Sequence, residues 1–318
     1  MPDSPALSIR EVRYRYGDHE AVRGVSFEVA KGEVFALLGP NGSGKTTLFR
    51  LISTLVPLQQ GEIDVLGHSV RTQGAAVRGQ IGVVFQAPSI DKKLTVLENL
   101  MHHGRLYGLG GSQLKQKAVG MIDRLGLSEK LKAYVETLSG GQRRRVELAQ
   151  AMLHAPKMLI LDEPATGLDP GARSDLWRYF AGLKEEGVTI VLTTHLLEEA
   201  ERADRLGIMH RGELVALDTP TALQASLGGD TLILRTADSQ ALCQAIREKL
   251  QLEASVVDGT VRLEQPNGHE LVPRLIEGLG EQIDAVTLGK PTLEDVFIAR
   301  TGHQFFAEVE NEPTPASH

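Results

Sequence analysis

Residues 38–48, LGPNGSGKTTL, follow directly on the apolar run EVFALL (33–38). A continuous apolar run of this length reads as a strand covered on both faces. Glycines just after it let successive backbone N–H groups point inward without a Cβ in the way. A helix starting near Gly44 would add its unpaired N–H groups and the positive end of its dipole, together an anion site. The run from Gly39 through Asn41, Gly42, Ser43 and Gly44 to Lys45 and Thr46 satisfies G-x-x-x-x-G-K-[ST]. That pattern cradles a nucleoside triphosphate: Lys45 would reach the β- and γ-phosphates, Thr46 would hold Mg2+, and Thr47 would bring a hydroxyl near the α-phosphate. A strand–loop–helix unit of this kind commits the chain to an α/β core. By itself it does not separate kinase, GTPase, motor or pump.

The pattern around this unit predicts the rest of the architecture. IGVVFQ (81–86), KMLILDEP (157–164) and TIVLTTH (189–195) are further buried-strand candidates, and helical patterns occupy 45–54, 95–107, 112–125, 140–154, 171–186 and 196–203. Strands alternating with helices imply a mostly parallel sheet. Residues 7–13 and 22–29 alternate as strands ahead of it, and the three helical segments between 95 and 154 predict a helical lobe standing off the sheet. From about Gly228 the order strand, helix, strand, strand, helix, strand matches the ferredoxin-like βαββαβ motif, with TLEDVFIARTG (292–302) as a last helix. The polar, proline-containing end, 304–318, is expected to be disordered.

Two further sites carry chemistry. MLILDEP ends a buried strand on Asp162 and Glu163. Ionised carboxylates there are costly unless paired or bound to metal. After a phosphate cradle, Asp162 would serve Mg2+ and Glu163 would polarise the attacking water. In TLSGGQRRRVELAQAM (137–152), Ser139 caps a helix entered through Gly140 and Gly141, a second exposed anion site. Arg143, Arg144 and Arg145 on that helix read as a solvated or interface face.

Composition narrows the partners. The net charge of -7 argues against general nucleic-acid binding, which needs clustered basic residues. The single cysteine, Cys243, permits no internal disulfide and fits a reducing compartment. No stretch approaches the ~20 apolar residues that cross a bilayer.

These motifs, in this order, make the chain resemble the nucleotide-binding subunit of ATP-binding cassette (ABC) transporters over about residues 7–222. The resemblance rests on GPNGSGKTT (39–47), Gln86 in VVFQ, LSGGQ (138–142), LILDEP (159–164), GLD (167–169) and His195 in TTH. It implies a P-loop NTPase core with a mixed, mostly parallel sheet, an N-terminal antiparallel β subdomain and a helical lobe (about 88–154), all within 1–225. A small α+β domain would follow over 226–303. It further implies that Tyr16 stacks on adenine, that Gln86 contacts Mg2+ and water, that Asp169 crosses to a partner subunit, and that His195 contacts the γ-phosphate. Ser139, Gly140, Gly141 and Gln142 of one subunit would cover ATP held by another, so the chain would pair with a second copy or a paralogue. One departure is Ala165, where the family usually has threonine; it touches no expected ligand. APSIDKKLTVLENL (87–100) and the last helix resemble the subgroup that powers export of drugs, lipids or polysaccharides. The implied protein is an ATPase at the cytoplasmic face of the membrane, acting with integral membrane permease subunits and not with nucleic acid. The alternative is a soluble cassette ATPase with a non-transport partner.

Overall fold

The computed structural model describes residues 4–257, 259–303 and 305. Contacts divide the chain into two units, Met1–Leu214 and Val215–His318, so the division falls ahead of the boundary near 225 that the pattern suggests. The first unit opens with β1 (Leu7–Tyr16) and β2 (His19–Val29), an antiparallel hairpin, and then β3 (Val34–Leu38) and α1 (Lys45–Ile52). β4 (Gln60–Val65) and the short β5 (His68–Ser69) return to β1, closing an antiparallel sheet in the order β2–β1–β4–β5. After α2 (Gly74–Gln80) and β6 (Ile81–Val84) come α3 (Val96–Leu106), α4 (Gly111–Arg124) and α5 (Gly140–Met152), which pack on one another as the expected helical lobe. The chain then alternates: β7 (Met158–Asp162), α6 (Pro170–Glu185), β8 (Thr189–Thr194), the short α7 (Leu197–Ala200), β9 (Arg205–His210) and β10 (Glu213–Asp218), on which the unit boundary falls.

The main sheet runs β10–β9–β3–β8–β7–β6, and the pairs β3/β9, β3/β8, β8/β7 and β7/β6 are all parallel. β3, β7 and β8 are buried at every residue, as continuous apolar runs require of strands covered on both faces. Their register matters more than their existence. Leu38 stands beside Thr194 and Asp162 beside Thr193, so three strand C-termini end at one level on one sheet edge. In an open parallel sheet that edge is where ligands bind.

The second unit continues through α8 (Pro220–Ala225), β11 (Asp230–Arg235), α9 (Ser239–Leu250), β12 (Ser255–Val257), β13 (Thr260–Gln265), α10 (Gly268–Leu279), β14 (Ala285–Gly289) and α11 (Leu293–Thr301). From β11 to β14 the order is βαββαβ, and the antiparallel sheet runs β12–β13–β11–β14, the ferredoxin-like arrangement. Leu232, Leu234, Val261 and Leu263 from its strands pack on Leu242, Ile246, Leu271 and Leu275 from α9 and α10, forming this unit's own core. Of the tail expected to be disordered, 304–318, all but residue 305 lies outside the described residues. Phe305 is buried edge-on against Phe297, ring centroids 4.9 Å apart.

Candidate active site

β3 delivers the glycine loop to the start of α1. Gly42 and Gly44 sit at φ 80° and 98°, where a side chain would be strained. At Gly44 a Cβ would also lie 2.4 Å from the carbonyl oxygen of Ala21 on β2. At Gly39 it would lie 2.6 Å from Ser43 Oγ. The loop is therefore pressed against its surroundings with no room for larger residues. Ser43 is buried and its Oγ has no hydrogen-bond partner. Lys45 is also buried, and its ammonium donates to Gly39 O at 2.7 Å and Pro40 O at 2.8 Å. Burial with only neutral carbonyls in direct contact pulls the Lys45 pKa down to about 8, against the opposing pull of Glu163 and Asp162. An orphaned hydroxyl, a buried ammonium and a helix N-terminus converge here, a donor set that fits a triphosphate.

Across the sheet, Asp162 closes β7. Its Oδ1 accepts from Thr193 Oγ1 at 2.5 Å and, more weakly, from Thr46 Oγ1 at 3.4 Å. Burial pushes its carboxyl up, partly offset by the Thr193 hydrogen bond. The expected pairing of Thr46 with Asp162 is thus present as geometry: two oxygens side by side, chemistry suited to a hard cation.

Glu163 takes the next position at φ 47°, a left-handed backbone uncommon for a residue with a side chain. Its N–H donates to Thr193 Oγ1 at 3.0 Å. Its Oε2 accepts from Gln86 Nε2 at 3.2 Å and Thr166 Oγ1 at 3.1 Å, while Oε1 lies 3.2 Å from His195 Nδ1. The His195 contact, followed by the pull of Lys45 and the Thr166 hydrogen bond, outweighs burial and holds the Glu163 carboxyl below the ordinary glutamate value. Gln86, Glu163 and His195, far apart in sequence, meet around one ionised carboxylate. Thr166 joins them unforeseen: with alanine at 165, this neighbouring hydroxyl supplies the local hydrogen bond.

Most of the other expected residues lie on exposed ends. Ser139 caps α5 in a reciprocal box with Gln142, Oγ accepting from Gln142 N at 3.3 Å and Ser139 N donating to Gln142 Oε1 at 3.0 Å. Gly140 and Gly141 make the first turn of this helix, and a Cβ on Gly140 would meet nothing within 4 Å. Asp169 caps α6, accepting from Ala172 N at 3.0 Å. Thr47 is buried on α1. Tyr16 ends β1, is 42% exposed and stands edge-on to Tyr14.

One sequence reading is corrected. Arg144 is not a solvated residue: it is buried, and its guanidinium reaches the backbone on both sides of the site. A charge run in sequence cannot disclose a buried member whose backbone partners lie 19–59 residues away.

A protein-family profile described as ABC transporter matches residues 22–166. The linearmycin resistance ATP-binding protein LnrL of Bacillus subtilis is 36% identical over 305 residues, covering 93% of this chain and 98% of that protein. The Nod factor export ATP-binding protein I of Paraburkholderia xenovorans is 37% identical over 313 residues, covering 96% and 99%. Among solved structures, cbiO1 from Clostridium perfringens, part of the transporter complex cbiONQ, superposes with TM-score 0.65 at 26% identity, covering 78% of this chain and 97% of that one. A dimeric ATP-binding cassette in a post-hydrolysis state with ADP and Pi superposes with TM-score 0.62 at 25% identity, covering 67% and 98%.

Proposed function

The chain belongs to the ABC transporter ATP-binding family, and on that premise we propose that it hydrolyses Mg-ATP as half of a two-site dimer that drives export through separate transmembrane subunits. The observation that carries this reading is the convergence of Lys45, Thr46, Asp162, Glu163, Gln86 and His195 on one edge of the parallel sheet.

In this reading Gly39, Asn41, Gly42, Ser43, Gly44, Lys45 and Thr47 bind the phosphates and Tyr16 carries the adenine. Thr46 and Asp162, with Gln86 as a further ligand, would hold Mg2+. Such an ion commonly takes one or two protein oxygens and completes its shell with phosphate oxygens and water. That agrees with an oxygen pair and with the lack, among the described residues, of any cluster of three or more His, Cys, Asp or Glu. When bound, Mg2+ neutralises charge that builds on the phosphate oxygens. Glu163 acts as the base: ionised at neutral pH, hydrogen-bonded on Oε2 by Gln86 and Thr166 with His195 Nδ1 3.2 Å from Oε1, it accepts a proton from the attacking water. His195 fixes that carboxylate from one side and Gln86 from the other.

One chain carries a single cradle and a single LSGGQ helix. The exposure of Ser139, Gly140 and Asp169 supports closure of these helix ends over the nucleotide of a second copy or a paralogue. The similar cassette with ADP and Pi is itself described as dimeric. A groove between α3 and the Gln86 loop, lined by Leu55, Arg78, Phe85, His103 and Tyr107, is the seat for a membrane subunit. No helix among the described residues is long and apolar enough to cross a membrane, so attachment at the cytoplasmic face runs through that subunit. Relatives named for linearmycin resistance and Nod factor export support export as the direction.

The test is phosphate release from Mg-ATP by the full chain, together with co-purification in detergent with an integral membrane protein. Hydrolysis in such a complex is expected. No hydrolysis with the membrane partner supplied would overturn the enzymatic reading. Hydrolysis with no membrane protein retained would favour a non-transport partner.

A further inference from the structure

Four residues after its N-terminal turn opens, α5 places Arg144 beneath the catalytic edge. The side chain is 8% exposed. Its Nε donates to Pro164 O at 2.8 Å, Nη2 to Glu163 O at 3.0 Å, and Nη1 to Phe85 O at 2.8 Å and to Glu147 Oε2 at 2.9 Å. A guanidinium offers five donors in a rigid planar fork, and here three carbonyls and a carboxylate engage four of them. Glu147, one helical turn on and equally buried, spends its second oxygen on Ser89 N at 3.1 Å.

The positions of these partners are not incidental. Phe85 and Ser89 bracket the loop that starts with Gln86. Glu163 is the residue in the left-handed backbone conformation, which persists only where its surroundings over-determine it. Its N–H is pinned by Thr193 and its C=O by Arg144. The 3.2 Å contact between Gln86 Nε2 and Glu163 Oε2 therefore joins two side chains whose backbones hang from the same guanidinium. Among the described residues, no other side chain bonded to Glu163 also bonds the backbone next to Gln86.

We propose that Arg144, oriented by Glu147, is a positioning residue for hydrolysis: it holds the Glu163 backbone and the Gln86 loop of its own chain in one frame, so that the carboxylate and the amide meet at the attacking water. It touches neither nucleotide nor metal. The inference rests on the assignment of Glu163 as the base. Misplacement of a catalytic group by about 1 Å costs about 100-fold in rate, whereas the phosphate cradle of β3 and α1 does not depend on this clamp.

The experiment compares the full chain with Arg144→Met, Arg144→Lys, Glu147→Gln and the double variant Arg144→Met/Glu147→Met. The double variant guards against misfolding, because removing both members of a buried ion pair leaves no uncompensated charge. Arg178→Gln, an exposed arginine on α6, is the surface control. Steady-state phosphate release gives kcat and KM, and equilibrium titration in EDTA gives ATP affinity. Expected is a kcat loss of about 10- to 100-fold in both Arg144→Met backgrounds, with ATP affinity held within about threefold. Arg144→Lys should recover part of kcat, and Glu147→Gln, which keeps an acceptor for Ser89 N but loses the carboxylate oxygen that faces Arg144 Nη1, should lower kcat by a smaller factor than Arg144→Met. A folded double variant with parental kcat would overturn the proposal. So would a parallel loss of kcat and ATP affinity, the mark of a merely structural role. If Glu163→Gln, run alongside, releases phosphate at the parental rate, the assignment of Glu163 as base fails instead, and the two failures are told apart by that control.

Discussion

Lys45 should make nucleotide binding fall with rising pH well before an ordinary lysine would allow it. In the folded chain its pKa is drawn from 10.5 down to about 8 by burial. Only the ammonium form can neutralise phosphate charge, so apparent Kd scales with 1 + 10^(pH − pKa). That factor is about 1.1 at pH 7 and about 11 at pH 9, a loss of about tenfold or ~1.4 kcal/mol. An unshifted lysine would lose only a few per cent over the same range. The nucleotide works in the opposite sense, since its terminal phosphate is more fully ionised at the higher pH. A fluorescent ATP analogue titrated in EDTA from pH 7 to pH 9 isolates the lysine from metal. Lys45→Ala should bind too weakly to titrate at either pH. A flat Kd in the parent chain across this range would refute the argument that burial, uncompensated by a contacting anion, controls this ammonium.

Other outcomes follow from the same geometry. Thr193→Val deletes a hydrogen bond to the buried Asp162 carboxylate and one from Glu163 N, at ~2–4 kcal/mol together, read as a lower melting temperature by calorimetry. Gly44→Ala forces a Cβ to within 2.4 Å of Ala21 O at φ 98°; loss of ATP binding is expected along with at least ~1–2 kcal/mol of stability, seen in titration and urea melts. His195 is the main cause of the lowered Glu163 pKa, so the base stays ionised in the parent as pH falls into the usual glutamate range. In His195→Ala that carboxyl should rise toward its usual value, and the acid limb of the pH–rate profile should move to higher pH; an unmoved limb would contradict the contact's role.

The sequence made some of this site legible and hid the rest for definable reasons. β3, β7 and β8 announced themselves because strands covered on both faces must be apolar throughout. The cradle was readable because its glycines answer to a backbone shape that is local in sequence. The meeting of Gln86, Glu163 and His195 was anticipated from motif order, but the reason they meet is register: Val84 opposite Leu161 and Asp162 opposite Thr193. Register belongs to paired strands and to no single stretch. Thr193 read as one more strand residue, yet its hydroxyl serves both Asp162 and Glu163; its place near the end of a buried strand, two residues before His195, was the available signal. The turn between β9 and β10 also escaped notice. Arg211 and Gly212 both adopt positive φ, as a tight hairpin turn needs, but Arg-Gly lacks the Asn-Gly or Asp-Gly spelling that usually marks one. Arg144 was hidden most thoroughly, since its three carbonyl partners are backbone atoms and leave no residue-type signature.

The central claim is that the terminal phosphate of ATP holds two cassettes together until Glu163 helps water remove it. Light scattering coupled to size-exclusion chromatography on Glu163→Gln at saturating Mg-ATP tests this most directly. The account predicts a stable dimer retaining two nucleotides and releasing no phosphate, with the parent chain returning to monomer as ATP is consumed. A Glu163→Gln chain that stays monomeric with its membrane partner supplied, or one that hydrolyses ATP at the parental rate, would contradict it.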